Sequence, residues 1–321
     1  MLRLVGILLF IIILSNIDLG KSLRLLRDTD LSVFFLAALL LIPLYLLRVL
    51  RWNFLLRSQG VDYPIISTLL VVLSSNFIGF TTPGRVGELA KVFYLRNDLG
   101  IPYSSVLPTV LLDRLFDVYT LLAFGVFGFI RYSLLDKLGY VSVLLLLIVM
   151  IFPLFVLWDK ISHRIFSTVL RMSFLKKHRS RVLAFLDDFY DGIRLLLNVK
   201  LTVGFLLTVG AYLVLFYLCD LLAASAGIEL DLLTVVFFVS VANILSYMPI
   251  SISGIGTRDA SFIFLFAQIG KSMEEAVVFS TLILICFYIM GGLAGFICFT
   301  IKPVQISKIR DKEKSPVDWN H

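Results

Sequence analysis

Apolar residues along this chain fall in long unbroken runs, not in the short alternations of half-buried strands or the single stripes of surface helices. Residues 31–47, 63–84, 138–158, 201–219, 232–257 and 276–301 contain no Asp, Glu, Lys or Arg, and most approach the roughly 20 residues that a spanning helix needs. A further run, 4–17, follows Arg3 and has no small-x-small cleavage site before Gly20, so a retained first helix is expected instead of a signal peptide. The pattern predicts an all-α polytopic membrane protein.

Composition agrees. Of 321 residues, 59% are hydrophobic and 16% charged, more apolar surface than a water-soluble fold of this length can bury. The charge of +7 is uneven. Residues 159–200 carry nine Lys/Arg against four acids, five basic residues follow Ile301, and 220–231 has three acids with no Lys or Arg. The positive-inside rule puts the first two in the cytoplasm and the third outside, giving a cell (plasma or inner) membrane protein with both termini cytoplasmic. Within the basic stretch, Val182, Leu186, Phe189, Ile193 and Leu197 recur at helical spacing, which fits either an amphipathic helix on the inner leaflet or a solvated connector.

The chain repeats itself. Asn76 through Glu88 and Asn243 through Asp259 each place an Asn in an apolar run, a Pro (Pro83, Pro249) six or seven residues on, a glycine-rich break, then an Arg and an acid. Each continues to a turn glycine, Gly100 or Gly270, and corresponding positions lie 166 to 173 residues apart. The segments after the breaks are short and polar, about 18 Å of helix for a dozen residues, so each motif reads as a re-entrant hairpin with its break at depth. Hairpins that return to their own side satisfy the charge pattern and leave three full crossings in each half. That is an inverted repeat of about six spans plus two hairpins, eight membrane segments. The first half is 1–136, with hairpin 64–100 and span 102–130. The second is 137–302, with connector 159–200, hairpin 231–270 and span 276–301. Residues 303–321 form a cytoplasmic tail.

Two polar constellations interrupt the apolar background. The first is at the breaks, where new helices begin near Pro83-Gly84-Arg85 and Thr257-Arg258-Asp259 with Thr257 as N-cap. Gly84, Gly87, Gly254 and Gly256 let another group approach the backbone. Two positive helix ends with Arg85 and Arg258 beside them describe a seat for an anion; the alternative is that Arg85 pairs with Glu88, and Arg258 with Asp259, to close the hairpins. The second constellation is Asp113, Arg114 and Asp117 within span 102–130. At four apart the aspartates share a face, and Arg114 reaches Asp117 at three apart. Three such charges facing lipid would cost roughly 8–10 kcal/mol, so they form an internal ion-pair network or line a cavity, where Glu88 and Asp259 would join them in balancing the arginines and relaying protons. Arg48, Arg51 and Trp52 fall where the second span reaches the inner surface and suggest interface anchoring.

Other chemistry finds no support. Gly270-Lys271-Ser272 lacks the earlier glycine of a phosphate loop, since Leu265 stands there. The histidines are isolated, and Cys219, Cys286 and Cys298 lack metal or disulfide spacing and read as core packing. No cofactor, no metal and no nucleic-acid partner is expected, and no catalytic residue.

The pair Thr82–Glu88 and Pro249–Asp259, with Arg51-Trp52 upstream and Asp113-Arg114 downstream, resembles the flippase-like family that includes the transmembrane region of bacterial lysylphosphatidylglycerol synthases. The resemblance implies movement of lipid between leaflets, with aminoacylated phosphatidylglycerol or polyprenyl-linked sugars as cargo. The family's second motif commonly reads Gly-Gly-x-Gly before Arg-Glu; here Ser253 replaces a glycine and Asp259 the longer acid. The synthases continue into a cytosolic catalytic domain, whereas this chain ends about 20 residues after its last run, so translocation without enzymatic activity is the expectation. A secondary transporter of a small anion, or an intramembrane scaffold for an envelope-lipid biosynthetic enzyme, is the alternative. The partners expected are membrane lipids, with such an enzyme or a second copy of the chain left open.

Overall fold

The computed structural model describes residues 13, 15, 17–82, 84–132, 187–192, 196, 201–247, 251 and 254–304. Most of the expected first span, span 138–158, most of connector 159–200 with its expected amphipathic helix, the prolines Pro83 and Pro249, and the tail beyond 304 lie outside the described residues. Among the described residues the structure is all-helical.

Helix α1, Leu19–Arg27, precedes a long helical segment interrupted at Leu40, between α2, Leu31–Leu39, and α3, Leu41–Ser58. The interruption has a local cause: Pro43 has no N–H to give to the turn before it. Next come α4, Ile65–Phe80, a 3-10 turn, Val86–Leu89, and α5, Ala90–Leu99. Helix α6 spans Tyr103–Arg131, α7 Leu201–Ser225, α8 Leu232–Ser246 and α9 Thr257–Gln268. The last helix runs as α10, Met273–Ile283, a π-helical stretch, Leu284–Met290, and α11, Gly291–Ile301. Among the described residues, three helices are long and apolar enough to cross a bilayer, Leu31–Ser58, Leu201–Ser225 and Met273–Ile301. Helix α6 has the length but carries charges at its centre. At 16 and 15 residues, α4 and α8 reach only about 24 and 22 Å, short of the roughly 30 Å hydrocarbon core.

Hydrogen bonds fix which helix ends share a face. Tyr63, just before α4, donates to Asp98 at the end of α5, and Lys302, just after α11, donates to Tyr63 at 2.8 Å. On that same side Gln59 donates to the Gly192 carbonyl and Ser104 to Asp188, so the described part of the basic connector sits there too. On the other side Asp30 N–H bonds to the Ser225 carbonyl at 2.7 Å, and Lys21 pairs with Glu274. Side-chain caps start the helices here: Asp18, Asp30 and Asp231 accept from the first-turn amides of α1, α2 and α8, and Ser272 with Glu275 forms a reciprocal box on α10.

Packing exchanges partners between the two halves of the chain. Helix α4 lies on α11, α8 on α6, and α3 on α7. Glycines permit the closest approaches: a Cβ on Gly295 would lie 2.6 Å from the Leu73 carbonyl oxygen, and one on Gly128 would overlap the Phe237 ring. The main core gathers Leu44, Phe216, Phe237, Phe238, Phe266 and Phe279 from α3, α7, α8, α9 and α10. Cys219 and Cys286 belong to it as free, buried thiols, and Cys298 is half-buried.

Candidate functional site: an arginine-lined cavity beside a buried ion cluster

Each hairpin closes on itself. A Cβ on Gly87 would sit 2.5 Å from the Ile78 carbonyl oxygen, and one on Gly254 would sit 2.4 Å from the Ser246 hydroxyl. The group that approaches these glycines is therefore the hairpin's own arm and not a ligand. Gly84, Gly254 and Gly256 turn the chain with positive φ. The helix ends are also occupied. Thr82 Oγ1 accepts from Gly87 N–H at 2.8 Å, and Asp259 Oδ2 accepts from Gly256 N–H at 2.8 Å. The N-cap of α9 is thus Gly256, and Thr257 is the first helical residue, its hydroxyl 2.7 Å from that of Ser251. This corrects the expectation of Thr257 as cap and of free amides awaiting an anion: local hydroxyl and carboxylate groups reach those amides first.

What remains available is the arginine side chains. Arg85 takes left-handed backbone (φ 55), the one non-glycine to do so among the described residues, at a cost of roughly 1–2 kcal/mol. Its guanidinium lies against the rings of Phe80, Tyr247 and Tyr288, 5.4 to 5.8 Å from their centroids, and Nη2 donates to the Tyr288 hydroxyl at 3.0 Å. Arg258, arriving from the other hairpin, stands over the same Tyr288 ring at 5.2 Å. Its Nε donates to Ser280 Oγ at 2.9 Å, and Nη2 reaches the Ser280 carbonyl at 3.3 Å and Asp259 at 3.5 Å. Buried Arg85 Nε and Arg258 Nη1 have no hydrogen-bond partner among the described residues. The expected alternative of Arg85 paired with Glu88 is not what forms, because Glu88 turns to Arg114.

These arginines line a small, part-open cavity of about 40 Å³. Tyr45 and Arg48 of α3, Phe80 and Arg85 of the first hairpin, Asn243 of α8, Arg258 and Phe262 of α9, and Phe287 and Tyr288 of the π-helical stretch contribute to its wall. A π turn holds one more residue than an α turn, which lets adjacent Phe287 and Tyr288 both reach the lining. Asn243 also donates to the Val239 carbonyl within its helix, whereas its counterpart Asn76 is buried in α4 with no partner for Nδ2 among the described residues. Tyr45, Tyr247 and Tyr288 escaped the sequence reading; a polar aromatic inside an uncharged run is the signal that marks them.

The second constellation is a separate, closed cluster. Arg51 donates from Nε to Asp113 at 2.7 Å, and from Nη1 to Asp117 at 2.8 Å and Thr208 at 3.0 Å. Lys91 donates to the other Asp113 oxygen at 2.8 Å and lies over the Trp52 ring. Arg114 forks onto Glu88 and stands 3.5 Å from Asp117. Three cations thus balance three carboxylates, all buried except Arg114, whose side chain is 24% exposed. Arg51 and Trp52 are 1% and 0% exposed, which corrects their assignment to the membrane interface. Helix α3 continues to Ser58 because Asp113 and Asp117 complete Arg51 inside the protein and Thr109 accepts from the Trp52 indole. Arg48 also leaves the interface assignment, as a half-buried residue of the cavity wall. None of Glu88, Asp113, Arg114 or Asp117 lines the cavity, since the neutral cluster satisfies them where they stand; Asp259 sits behind Arg258.

Comparison with known proteins places the chain among membrane proteins. A UPF0104 membrane protein of Methanocaldococcus jannaschii is 25% identical over 97% of this chain and 97% of its own length. A UPF0104 membrane protein of Methanothermobacter thermautotrophicus is 25% identical over 87% and 86%, and one of Pyrococcus horikoshii 25% over 50% and 50%. No solved structure matches. Residues 1–295 match the family described as the lysylphosphatidylglycerol synthase TM region, and the chain belongs to that family.

Proposed function

We propose that the chain is a lipid translocase: a phosphate-bearing headgroup passes through the arginine-lined cavity while its tails stay in the bilayer, with no covalent chemistry. The observation that carries this reading is the convergence of Arg85 and Arg258, one from each hairpin, on the single ring of Tyr288. Guanidinium groups hold phosphate by paired N–H donors and keep their charge at any accessible pH. Inside a membrane such charges are retained for pathways and binding sites.

Alternating access by an inverted repeat accompanies this proposal. Its support is the exchange of packing partners, and one detail of it: Gly295 meets Phe77, and Gly125 meets Ile244. Phe77 and Ile244 each follow the Asn of their motif. The Tyr63–Asp98 bond, which joins the two ends of the first hairpin, and the shortness of α4 and α8 support re-entrant hairpins. Lys302 and the described connector residues Asp188 and Gly192 lie on one face, and the basic excess of 159–200 and of the tail in the sequence supports assigning that face to the cytoplasm. Membrane lipids are the partners this requires.

The test is headgroup accessibility in proteoliposomes holding the purified protein and trace fluorescent lipids. Protein-dependent exposure that disappears in Arg85→Ala/Arg258→Ala is expected. Transport of a soluble phosphate anion with no lipid movement would replace the reading by a solute transporter, and no transport by folded protein would favour a scaffold for a lipid enzyme.

A further inference from the structure

Resting on the headgroup seat just proposed, we infer that the cavity selects lipids whose headgroup carries net negative charge, a phosphate mono- or diester without an amine, and rejects aminoacylated headgroups. The wall holds three arginines, Arg48, Arg85 and Arg258, and no Asp or Glu among the described residues. Among the described residues Arg48 and Arg85 form no ion pair there, and Arg258 has only the 3.5 Å contact to Asp259. That carboxylate already accepts from Gly256 N–H and the Ser280 hydroxyl.

An ammonium group entering this space would need a carboxylate or an open aromatic face. Both are taken. Glu88, Asp113 and Asp117 are committed to Arg51, Lys91 and Arg114 outside the cavity. The faces of Phe80, Tyr247 and Tyr288 are covered by the arginines themselves. An anionic headgroup meets the opposite situation: two buried donors without acceptors, Arg85 Nε and Arg258 Nη1, of which Arg258 is only 4% exposed as a residue. Phosphate oxygens supply the acceptors and the counter-charge together.

The experiment measures relative binding by native mass spectrometry of the purified full chain with phosphatidylglycerol, phosphatidic acid, lysyl-phosphatidylglycerol and phosphatidylethanolamine, beside leaflet exchange of the same lipids in proteoliposomes. Phosphatidylglycerol and phosphatidic acid should bind at least about tenfold more than the lysyl lipid, as repulsion between like charges at a few ångströms in a protein interior requires. Asn243→Asp, or Cys219→Asp as a second placement, puts a carboxylate in the wall and should narrow that ratio. Equal or tighter binding of lysyl-phosphatidylglycerol overturns the inference. Anion-selective binding without exchange of any lipid upholds it and refutes the translocase; exchange indifferent to headgroup charge does the reverse. sn-Glycerol 3-phosphate serves as the soluble counterpart, and its displacement of bound lipid at equal concentration would overturn the assignment to lipid.

Discussion

Replacing Asp113 by Asn removes a carboxylate that accepts from Arg51 at 2.7 Å and Lys91 at 2.8 Å, in a cluster where three cations face three acids. The variant leaves one buried cation without counter-charge, and breaking a buried pair from one side costs about 3–5 kcal/mol. For a large domain this lowers the thermal midpoint by about 6–10 °C, at roughly 2 °C per kcal/mol. The double variant Arg51→Met/Asp113→Asn restores balance, two cations against two acids, and should be less destabilised than the singles added together, by about 1–3 kcal/mol of coupling. Arg85→Met supplies the contrast. Arg85 has no carboxylate to orphan, so its loss should leave the midpoint within about 2 °C of the parent while ending transport. The assay is intrinsic-fluorescence melting in detergent, run beside the proteoliposome measurement. Asp113→Asn melting like the parent, or Arg85→Met falling as far as Asp113→Asn, would refute the separation of a structural cluster from a working cavity.

Tyr288→Phe keeps the ring under both arginines but removes the hydroxyl that accepts from Arg85; transport should fall several-fold with melting unchanged, measured in the same two assays. Gly295→Val drives a side chain into the Leu73 carbonyl and should cost about 1–3 kcal/mol by forcing α4 and α11 apart, read as a lower midpoint. Burial and the neighbouring Asp98 hold the Tyr63 proton well above the usual phenol range. Above about pH 10 the unfolded chain gives up that proton while the folded one keeps it, so unfolding gains with rising pH. Melting of the parent should therefore decline more steeply between about pH 10 and 11 than that of Tyr63→Phe, and equal slopes would remove Tyr63 from the account.

Features set by neighbours along the chain were legible before any fold was known. The uncharged runs required membrane helices. The repeated Asn–Pro–Gly–Arg–acid order located both breaks, and Gly100 and Gly270 end the α5 and α9 segments in the same conformation, each with φ 72. Asp113 and Asp117 were placed on one face by helical spacing, and Arg51 indeed reaches both. The tertiary structure decided what each charge meets. Arg51 looked like an interface residue because its partners lie 62 and 66 positions away, beyond any local pattern. Glu88 was offered Arg85 three residues earlier and took Arg114, 26 residues on, because α6 brings that guanidinium against the hairpin. Tyr288 was hidden in an apolar run, and its importance comes from a π turn and from two hairpin tips arriving at one ring. Hydrophobic runs and turn residues act over a few positions, so sequence alone determines them; an ion pair or a shared ring depends on which distant helices pack together, and only the assembled fold makes that choice.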